Sequence, residues 1–207
     1  KVLAYDIDPA PLERLAADGV VAADSLAELC AKTHTILMSL PDGELVRLAC
    51  YGEHGLLEKL TSGQSVIDCG TSPPQLAREL HQAFAAKNIA FADAPVARTR
   101  QAAIDGTLSI MVGGDKSVFD RIQPILACMA SDITHCGEPG AGQTVKILNN
   151  MMLFQNCAAI AEALAIARRA GLDEELFLQT VGKSSGDSFA LRNHATKAML
   201  PRDYPEG

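Results

Sequence analysis

The chain has 207 residues, of which 48% are hydrophobic and 21% charged, and its mean hydropathy is +0.10. This composition excludes a disordered chain and is typical of a globular protein with one large or two modest domains. The net charge of −7, with only 4% aromatic residues and no tryptophan, argues against nucleic acid as a partner. Such a partner would require a basic face with interleaved aromatic side chains.

The six cysteines and five histidines indicate neither a disulfide framework nor a metal site. No Cys-x-x-Cys pair is present, and the cysteines lie within apolar runs, so buried thiols of a reducing compartment are predicted. The histidines have no metal-ligand spacing. No apolar run approaches the length of a membrane span, and the first residues lack the organisation of a signal peptide. The sequence therefore predicts a cytoplasmic protein that does not contact a membrane.

The first two thirds of the chain alternate short apolar runs with amphipathic helical stretches, which indicates a parallel sheet covered by helices. The strands are predicted at residues 2–5, 35–40, 65–68, 89–93, 108–112 and 132–135. The helices are predicted at residues 9–17, 25–31, 42–49, 73–86 and 116–129. This order predicts an α/β fold with a doubly wound, Rossmann-type parallel sheet.

After Gly142 the pattern changes to helices only, at residues 143–169, 173–181 and 188–199. We therefore predict an α/β domain over residues 1–137 and the start of an all-helical domain over 138–207. The chain opens directly on a strand and ends without closing the helical domain. We expect that about one strand–turn–helix unit is missing in front and several helices behind.

Three segments lie where an open α/β sheet binds ligands, at the carboxyl edge of its strands. Asp6 ends the first strand, where a dinucleotide-binding fold places the acid that contacts the adenosine ribose, although a helix-cap role remains open. The next residue, Ile7, is not an arginine, so NAD is preferred over NADP. The segments 40–43 and 70–74 each close a strand and open a helix, which turn chemistry alone would also explain.

Lys146 and Asn150 lie four residues apart on the long apolar helix and so share a face. The neighbouring residues have the composition of a helix buried against several neighbours. A lysine there is either a snorkelling stem with its ammonium in water or a functional charge. The glycines from Gly137 to Gly142 are predicted to turn and cap the chain rather than to bind nucleotide.

Two arginines follow the strand that ends at Asp93. Arg98 and Arg100 flank Thr99 and offer rigid donors for a carboxylate, phosphate or sulfonate. The alternative is a solvated basic turn, which is less expected in a chain this acidic.

Taken in order, these segments resemble the β-hydroxyacid dehydrogenase family, which includes 3-hydroxyisobutyrate dehydrogenases, tartronate semialdehyde reductases and sulfolactaldehyde reductases. The resemblance extends over essentially the whole chain. The matching segments are Tyr5-Asp6, Met38-Ser-Leu-Pro41, Asp68-Cys-Gly-Thr71, Asp93-Ala-Pro-Val96, Gly106-Thr-Leu108, Gly113-Gly114 and Gly140-x-Gly142-x-x-x-Lys146-x-x-Asn149-Asn150.

The resemblance implies reversible hydride transfer between a nicotinamide cofactor and a small 3-hydroxy acid or its semialdehyde. It implies that Lys146 is the catalytic acid/base and that Asn150 helps to hold substrate and lysine together. It implies cofactor contacts from Asp6, Leu40, Pro41 and Thr71, and contact with the substrate acid group by Ala97, Arg98 and Thr99. Against the family, the chain lacks the glycine fingerprint before Lys1 and a later lysine. Apolar surface on the helical domain favours a homodimer or homotetramer.

One departure from the family affects the substrate. Most members carry Ser-Gly-Gly where this chain has Ala97-Arg98-Thr99, a form closer to the Gly-Arg-Thr of sulfolactaldehyde reductases. Sulfolactaldehyde and tartronate semialdehyde therefore stay open as substrates beside 3-hydroxyisobutyrate. A non-catalytic dinucleotide-binding module and an imine reductase are the further alternatives.

Overall fold

The computed structural model describes residues 2–204, and the chain divides into two compact units, Lys1–Lys146 and Ile147–Gly207. The division falls inside one helix, which is continuous from residue 141 to residue 169. The predicted domain boundary at residues 137/138 lies just before that helix and stays a prediction.

The first unit alternates strands and helices along most of its length. Its strands are β1 (Leu3–Ala4), β2 (Val21–Ala22), β3 (Thr35–Met38), β4 (Ser65–Asp68), β5 (Ala90–Asp93), β6 (Val96–Ala97), β7 (Leu108–Gly113) and β8 (Ala130–Gly137). Its helices are α1 (Pro9–Leu15), α2 (Leu26–Lys32), α3 (Gly43–Tyr51), α4 (Leu56–Lys59), α5 (Pro74–Ala85), α6 (Arg100–Ile104) and α7 (Lys116–Leu126). Helix α8 (Ala141–Arg169) begins in this unit and continues into the second, where α9 (Glu174–Val181) and a π-helical segment (Leu191–Met199) follow.

The predicted α/β fold is confirmed in its parallel core, where β3, β4 and β5 lie side by side. The prediction that the whole sheet is parallel is wrong, because β7 runs antiparallel to β5 and β6. The pairs Asp93↔Gly113 and Val96↔Ile110 are in one register, and Pro95, which has no N–H, separates β5 from β6. The connection from β6 to β7 spans only residues 98–107, fewer than a parallel crossover requires.

The first strand also departs from the single predicted sheet. β1 pairs in parallel with β2 in a separate two-stranded sheet. Strand β2 was not predicted, because it has two residues and both are exposed. β8 pairs in parallel with β7 after the α7 crossover, as a doubly wound fold requires.

Two apolar clusters form the core of the first unit. One contains the stacked rings of Phe84 and Phe91, whose centroids are 5.8 Å apart, and the other is built around Ile110 and Ile122. Because these clusters pack on both faces of the sheet, they hold in place the strand ends that carry polar side chains.

Helix α8 is buried over only part of its length. In the second unit Ile160 and Leu164 enter the core, whereas Met151, Met152 and Phe154 are 47%, 61% and 66% exposed. The prediction that the whole apolar face is buried is therefore wrong in the first half of the helix. The core of this unit draws its other buried residues from α9 and from the segment around Leu191, which pack on the later turns.

Among residues 2–204, α8 is also long and apolar enough to cross a membrane, by length and composition alone. The expectation that no apolar segment approaches such a length is therefore wrong for this helix. Asparagine, glutamine and small residues interrupt its apolar run in the sequence, but they add no charge, so the helix as a whole stays apolar.

Candidate active site

The carboxyl ends of β3 and β4 carry two adjoining loops. Leu40 and Pro41 follow β3, and Gly70 and Thr71 follow β4. A Cβ on Gly70 would lie 2.8 Å from the carbonyl oxygen of Leu40, so the two loops touch and glycine is required at this contact. Pro41 and Thr71 are exposed and Leu40 is half-buried. This edge is therefore open to a ligand.

Asp6 lies just beyond β1 and is exposed. Its Oδ1 accepts the backbone N–H of Asp8 at 2.9 Å, and Asp8 in turn accepts the N–H of Ala10 at 3.0 Å. Asp8 is thus the N-cap of α1, so the helix-cap role that the sequence left open for Asp6 belongs to Asp8. Asp6 makes a short turn with one carboxylate oxygen and is exposed at the end of β1.

The first turn of α8 is anchored at the same sheet edge by Asp93, the last residue of β5. Its Oδ1 accepts the N–H of Gly140 at 2.7 Å and its Oδ2 accepts the N–H of Gln143 at 2.8 Å. A carboxylate at a helix N-terminus satisfies backbone donors that have no partner within the helix. A Cβ on Gly142 would overlap the carbonyl oxygen of Met111, so this glycine lets α8 start directly against β7.

A buried hydrogen-bond network connects this first turn to the loop after β4. The fully buried Gln143 accepts the backbone N–H of Ser72 at 3.0 Å and donates from Nε2 to the carbonyl of Gly70 at 2.9 Å. Asp68 accepts the Ser72 hydroxyl at 2.9 Å and the Gly70 N–H at 3.0 Å. The loop is therefore held from two sides.

None of these four network residues, Asp68, Ser72, Asp93 and Gln143, was assigned a role from the sequence. Two signals were available. Asp68 and Asp93 each end a buried strand, and they are direct register partners in the structure. Gln143 follows Gly140-x-Gly142 immediately, where a polar residue at the start of an apolar helix needs partners.

Burial shifts the ionisation of both carboxyl groups. It raises the pKa of Asp68 from 3.8 to about 6, against the opposing hydrogen bonds from Ser72 and Gly70. Burial also raises the pKa of Asp93, opposed by the N–H groups of Gly140 and Gln143. Perturbed carboxyl groups at a ligand-binding sheet edge are typical of functional sites.

Lys146 lies one turn beyond this anchor and is half-buried. Burial lowers the pKa of its ammonium, and no carboxylate among residues 2–146 forms an ion pair with it. A lysine without a counter-charge gives up its proton more readily, as acid/base chemistry near neutral pH requires. Asn150 is also half-buried and follows one turn, about 6 Å, further along α8.

The predicted substrate-binding residues have other contacts in the structure. Ala97 is buried on β6, and Thr99 caps α6 by accepting the N–H of Ala102 at 3.3 Å. Arg98 donates to the Thr107 carbonyl at 2.5 Å and to the Asp132 carboxylate at 2.6 Å.

These contacts place the Arg98 guanidinium at the amino ends of β7 and β8, whereas α8 begins beside the carboxyl end of β7. At 3.3 Å per strand residue, the two ends of β7 are about 17 Å apart. Arg98 also has a φ of 87°, in the left-handed region that favours glycine. A glycine at this position would adopt that backbone without strain. Binding of a substrate acid group by Arg98 requires the guanidinium to leave Asp132 and Thr107.

Comparisons with known proteins cover the whole chain. Residues 1–137 match the family model of the NAD-binding domain of 6-phosphogluconate dehydrogenase, and residues 140–207 match that of the NAD-binding domain of NADP-dependent 3-hydroxyisobutyrate dehydrogenase. The chain is 35% identical to 2-(hydroxymethyl)glutarate dehydrogenase of Eubacterium barkeri, over 100% of this chain and 68% of that protein. It is 38% identical to 3-hydroxyisobutyrate dehydrogenase of Pseudomonas aeruginosa, over 92% of this chain and 64% of that protein.

A solved structure agrees with these relatives. The 3-hydroxyisobutyrate dehydrogenase of Mycobacterium tuberculosis, solved with L-serine, superposes with a TM-score of 0.89 at 32% identity, over 98% of this chain and 71% of that one. The carboxyl-edge loops, the anchored start of α8 and the half-buried lysine agree with that relationship. The chain belongs to the β-hydroxyacid dehydrogenase family of NAD(P)-dependent oxidoreductases, of the 3-hydroxyisobutyrate dehydrogenase type.

Proposed function

We propose that the protein catalyses reversible oxidation of a small 3-hydroxy acid to its semialdehyde, with Lys146 as the general acid/base. The observation that supports this role is the half-buried lysine, whose pKa burial lowers, on a helix anchored at the ligand-binding edge of the sheet. When bound, the nicotinamide accepts or supplies the hydride.

In the oxidation direction, neutral Lys146 takes the proton from the substrate hydroxyl. In the reduction direction, its ammonium protonates the oxygen on which negative charge develops. Asn150, one turn along the same helix face, offers an amide that donates to the substrate oxygen and accepts from the lysine. Burial lowers the pKa of Lys146 from its ordinary value of 10.5, so the neutral form is populated at a lower pH.

The residues at the sheet edge fit a dinucleotide. Asp6 presents a free carboxylate oxygen for ribose hydroxyls, and the exposed Pro41 and Thr71 lie on touching loops. Ile7, which is 92% exposed, offers no charge for a 2′-phosphate, and this supports NAD over NADP. A lower KM for NAD than for NADP is the expected result, and Asp6→Ala should raise the KM for NAD.

For the substrate acid group we propose Arg98, released from its exposed ion pair with Asp132, since exposed ion pairs contribute little to stability. Arg98→Ala should raise the KM for the acid substrate about 10-fold or more, because a hydrogen bond to a charged group is lost. Asp132→Asn removes the competitor and should lower that KM. If steady-state kinetics give the same KM for the wild type and both variants, Arg98 does not bind the substrate.

The substrate can be identified by a screen of the full-length protein with NAD and NADP. The compounds are 3-hydroxyisobutyrate, tartronate semialdehyde, sulfolactaldehyde and succinate semialdehyde, followed through the absorbance of the reduced nicotinamide. A preference for sulfolactaldehyde would support the role of Arg98, because a sulfonate suits a guanidinium. Failure to turn over any hydroxy acid or semialdehyde contradicts the proposed function.

Two rival functions make different predictions. A non-catalytic dinucleotide-binding module would be expected to have lost Lys146 or Asn150, and both are present. An imine reductase would be expected to use a proton donor other than lysine and no acid-binding arginine. Turnover of a cyclic imine without turnover of any hydroxy acid would favour that alternative.

We further propose a homodimer or homotetramer in the cytoplasm. Support for assembly comes from the exposed apolar side chains of α8, and support for a reducing compartment comes from six free cysteines.

A further inference from the structure

We infer that Gln143 is a positioning residue for the reaction, fixing the loop after β4 against the first turn of the helix that carries Lys146. The inference rests on the proposed function of that lysine. It concerns a side chain that contacts neither reacting group and acts through the two segments it joins.

The contacts of Gln143 leave it no freedom. Its backbone N–H is bound by Asp93, its side-chain oxygen by the N–H of Ser72, and its side-chain nitrogen by the carbonyl of Gly70. The residue is 0% exposed. Each of these three bonds crosses to another segment of the chain, so a shift of the loop or of the helix breaks at least one of them.

The two joined segments carry different parts of the site. Thr71 lies between Gly70 and Ser72, the two residues held by Gln143, and is exposed at the cofactor edge. Lys146 lies three residues beyond Gln143 on the same helix. The amide of Gln143 therefore links the cofactor loop to the helix that carries the acid/base. A displacement of about 1 Å between reacting groups lowers the rate up to about 100-fold.

The chain offers a matched control in Gln64, the other buried glutamine. Its oxygen accepts the N–H of Thr61 at 2.6 Å, and its nitrogen donates to the carbonyls of Cys30 and Thr33 at 2.7 Å each. Gln64 immediately precedes β4, at the opposite end of that strand from the cofactor loop. Replacing it removes a comparable set of buried hydrogen bonds away from the site.

The experiment compares Gln143→Leu and Gln64→Leu in the full-length protein by melting temperature, kcat, KM and the dissociation constant for NADH. Both variants should melt at lower temperature. Only Gln143→Leu should lose kcat, by about 10- to 100-fold with little change in the KM of the acid substrate, and only it should bind NADH several-fold more weakly. Equal kcat and equal NADH affinity in the two variants would overturn the inference.

Gln143→Glu provides a second test that does not depend on the stability of the leucine variant. A protonated carboxyl group accepts from Ser72 and donates to Gly70 as the amide does, whereas a carboxylate repels that carbonyl oxygen. The charged or titratable groups around this position are Asp68, Cys69, Asp93, Cys136, Arg78 and Lys146. The buried carboxyl group should therefore have a raised pKa.

In the reduction direction, the ratio of variant to wild-type kcat should rise toward one as the pH falls. A ratio that does not change with pH would contradict the positioning role of Gln143. NADH binding requires no turnover, so weaker binding in Gln143→Leu alone supports the inference even where no substrate reacts. Wild-type protein that binds NADH but turns over nothing would refute the proposed function instead.

Discussion

At the scale of single residues, the site depends on polar groups that the fold holds away from water. The spacing of Lys146 and Asn150 on an apolar helix was visible in the sequence but left the role of the lysine open, and the family resemblance implied that role. Gln143 and Ser72 were not found, because they are 71 residues apart and only the tertiary structure brings them together. A local sequence pattern can identify a polar residue on an apolar helix. The buried hydrogen-bond partner of such a residue is known only from the folded chain.

Asp68 carries a prediction about stability and pH. Its pKa is near 6 in the folded chain and near 3.8 unfolded, so the unfolded state binds fewer protons between these values. The free energy of unfolding therefore falls as pH rises through this window, by about 3 kcal/mol at 1.4 kcal/mol per pKa unit. Asp68→Asn should remove that contribution, because an amide accepts the Gly70 N–H without ionising.

Chemical denaturation at pH 4 and pH 7 measures this effect. The variant should gain stability relative to wild type at pH 7 and show little difference at pH 4. Asp115→Asn, on the exposed start of α7, is the control and should alter neither value. The same stability difference at both pH values would show that the carboxyl group of Asp68 is not the titrating group.

At the scale of elements, the helix starts followed their caps. Asp42 and Asp173 accept the N–H groups of Leu45 and Leu176, close to the predicted starts of those helices. Helix α6 was missed, because its cap Thr99 falls in the segment taken for substrate binding. Strand β7 was predicted at residues 108–112, but its antiparallel direction was missed, because the two-residue strand β6 that precedes it was not predicted.

Gly142 tests the close approach of α8 to β7. Alanine normally stabilises a helix relative to glycine by up to about 1 kcal/mol. At position 142 the added Cβ overlaps the backbone of Met111, so Gly142→Ala should instead destabilise the fold by about 1–3 kcal/mol. Gly182→Ala is the control, since it has a right-handed helical backbone and its nearest atom would lie 3.2 Å away. Equal melting temperatures for the two variants would contradict this close contact.

At the scale of the whole molecule, the order of motifs identified the family, because seven segments in register are specific where one is weak. Burial of α8 was not predictable in the same way. Its apolar composition indicates that the helix can be buried. Within residues 2–204, however, the apolar side chains in its first half are largely exposed. Composition does not specify whether another element or a second copy covers it.

The proposed assembly through α8 gives a direct test. Phe154 is 66% exposed, and Phe154→Glu would place a charge in any interface formed there. The mass measured by light scattering for the full-length protein should fall to that of a smaller assembly. Glu175→Gln on α9, an exposed polar exchange, should leave the mass unchanged. An unchanged mass in Phe154→Glu would exclude this surface from the interface.

The proposed role of Lys146 as general acid/base is tested by Lys146→Ala in the full-length protein. The kcat should fall by about 10²–10⁴-fold, the range attributed to a positioned acid/base, while the dissociation constant for NADH stays close to the wild-type value. Lys116→Ala, which removes an exposed lysine paired with Asp120, should change neither quantity. A Lys146→Ala enzyme that retains wild-type kcat would show that Lys146 is not the general acid/base.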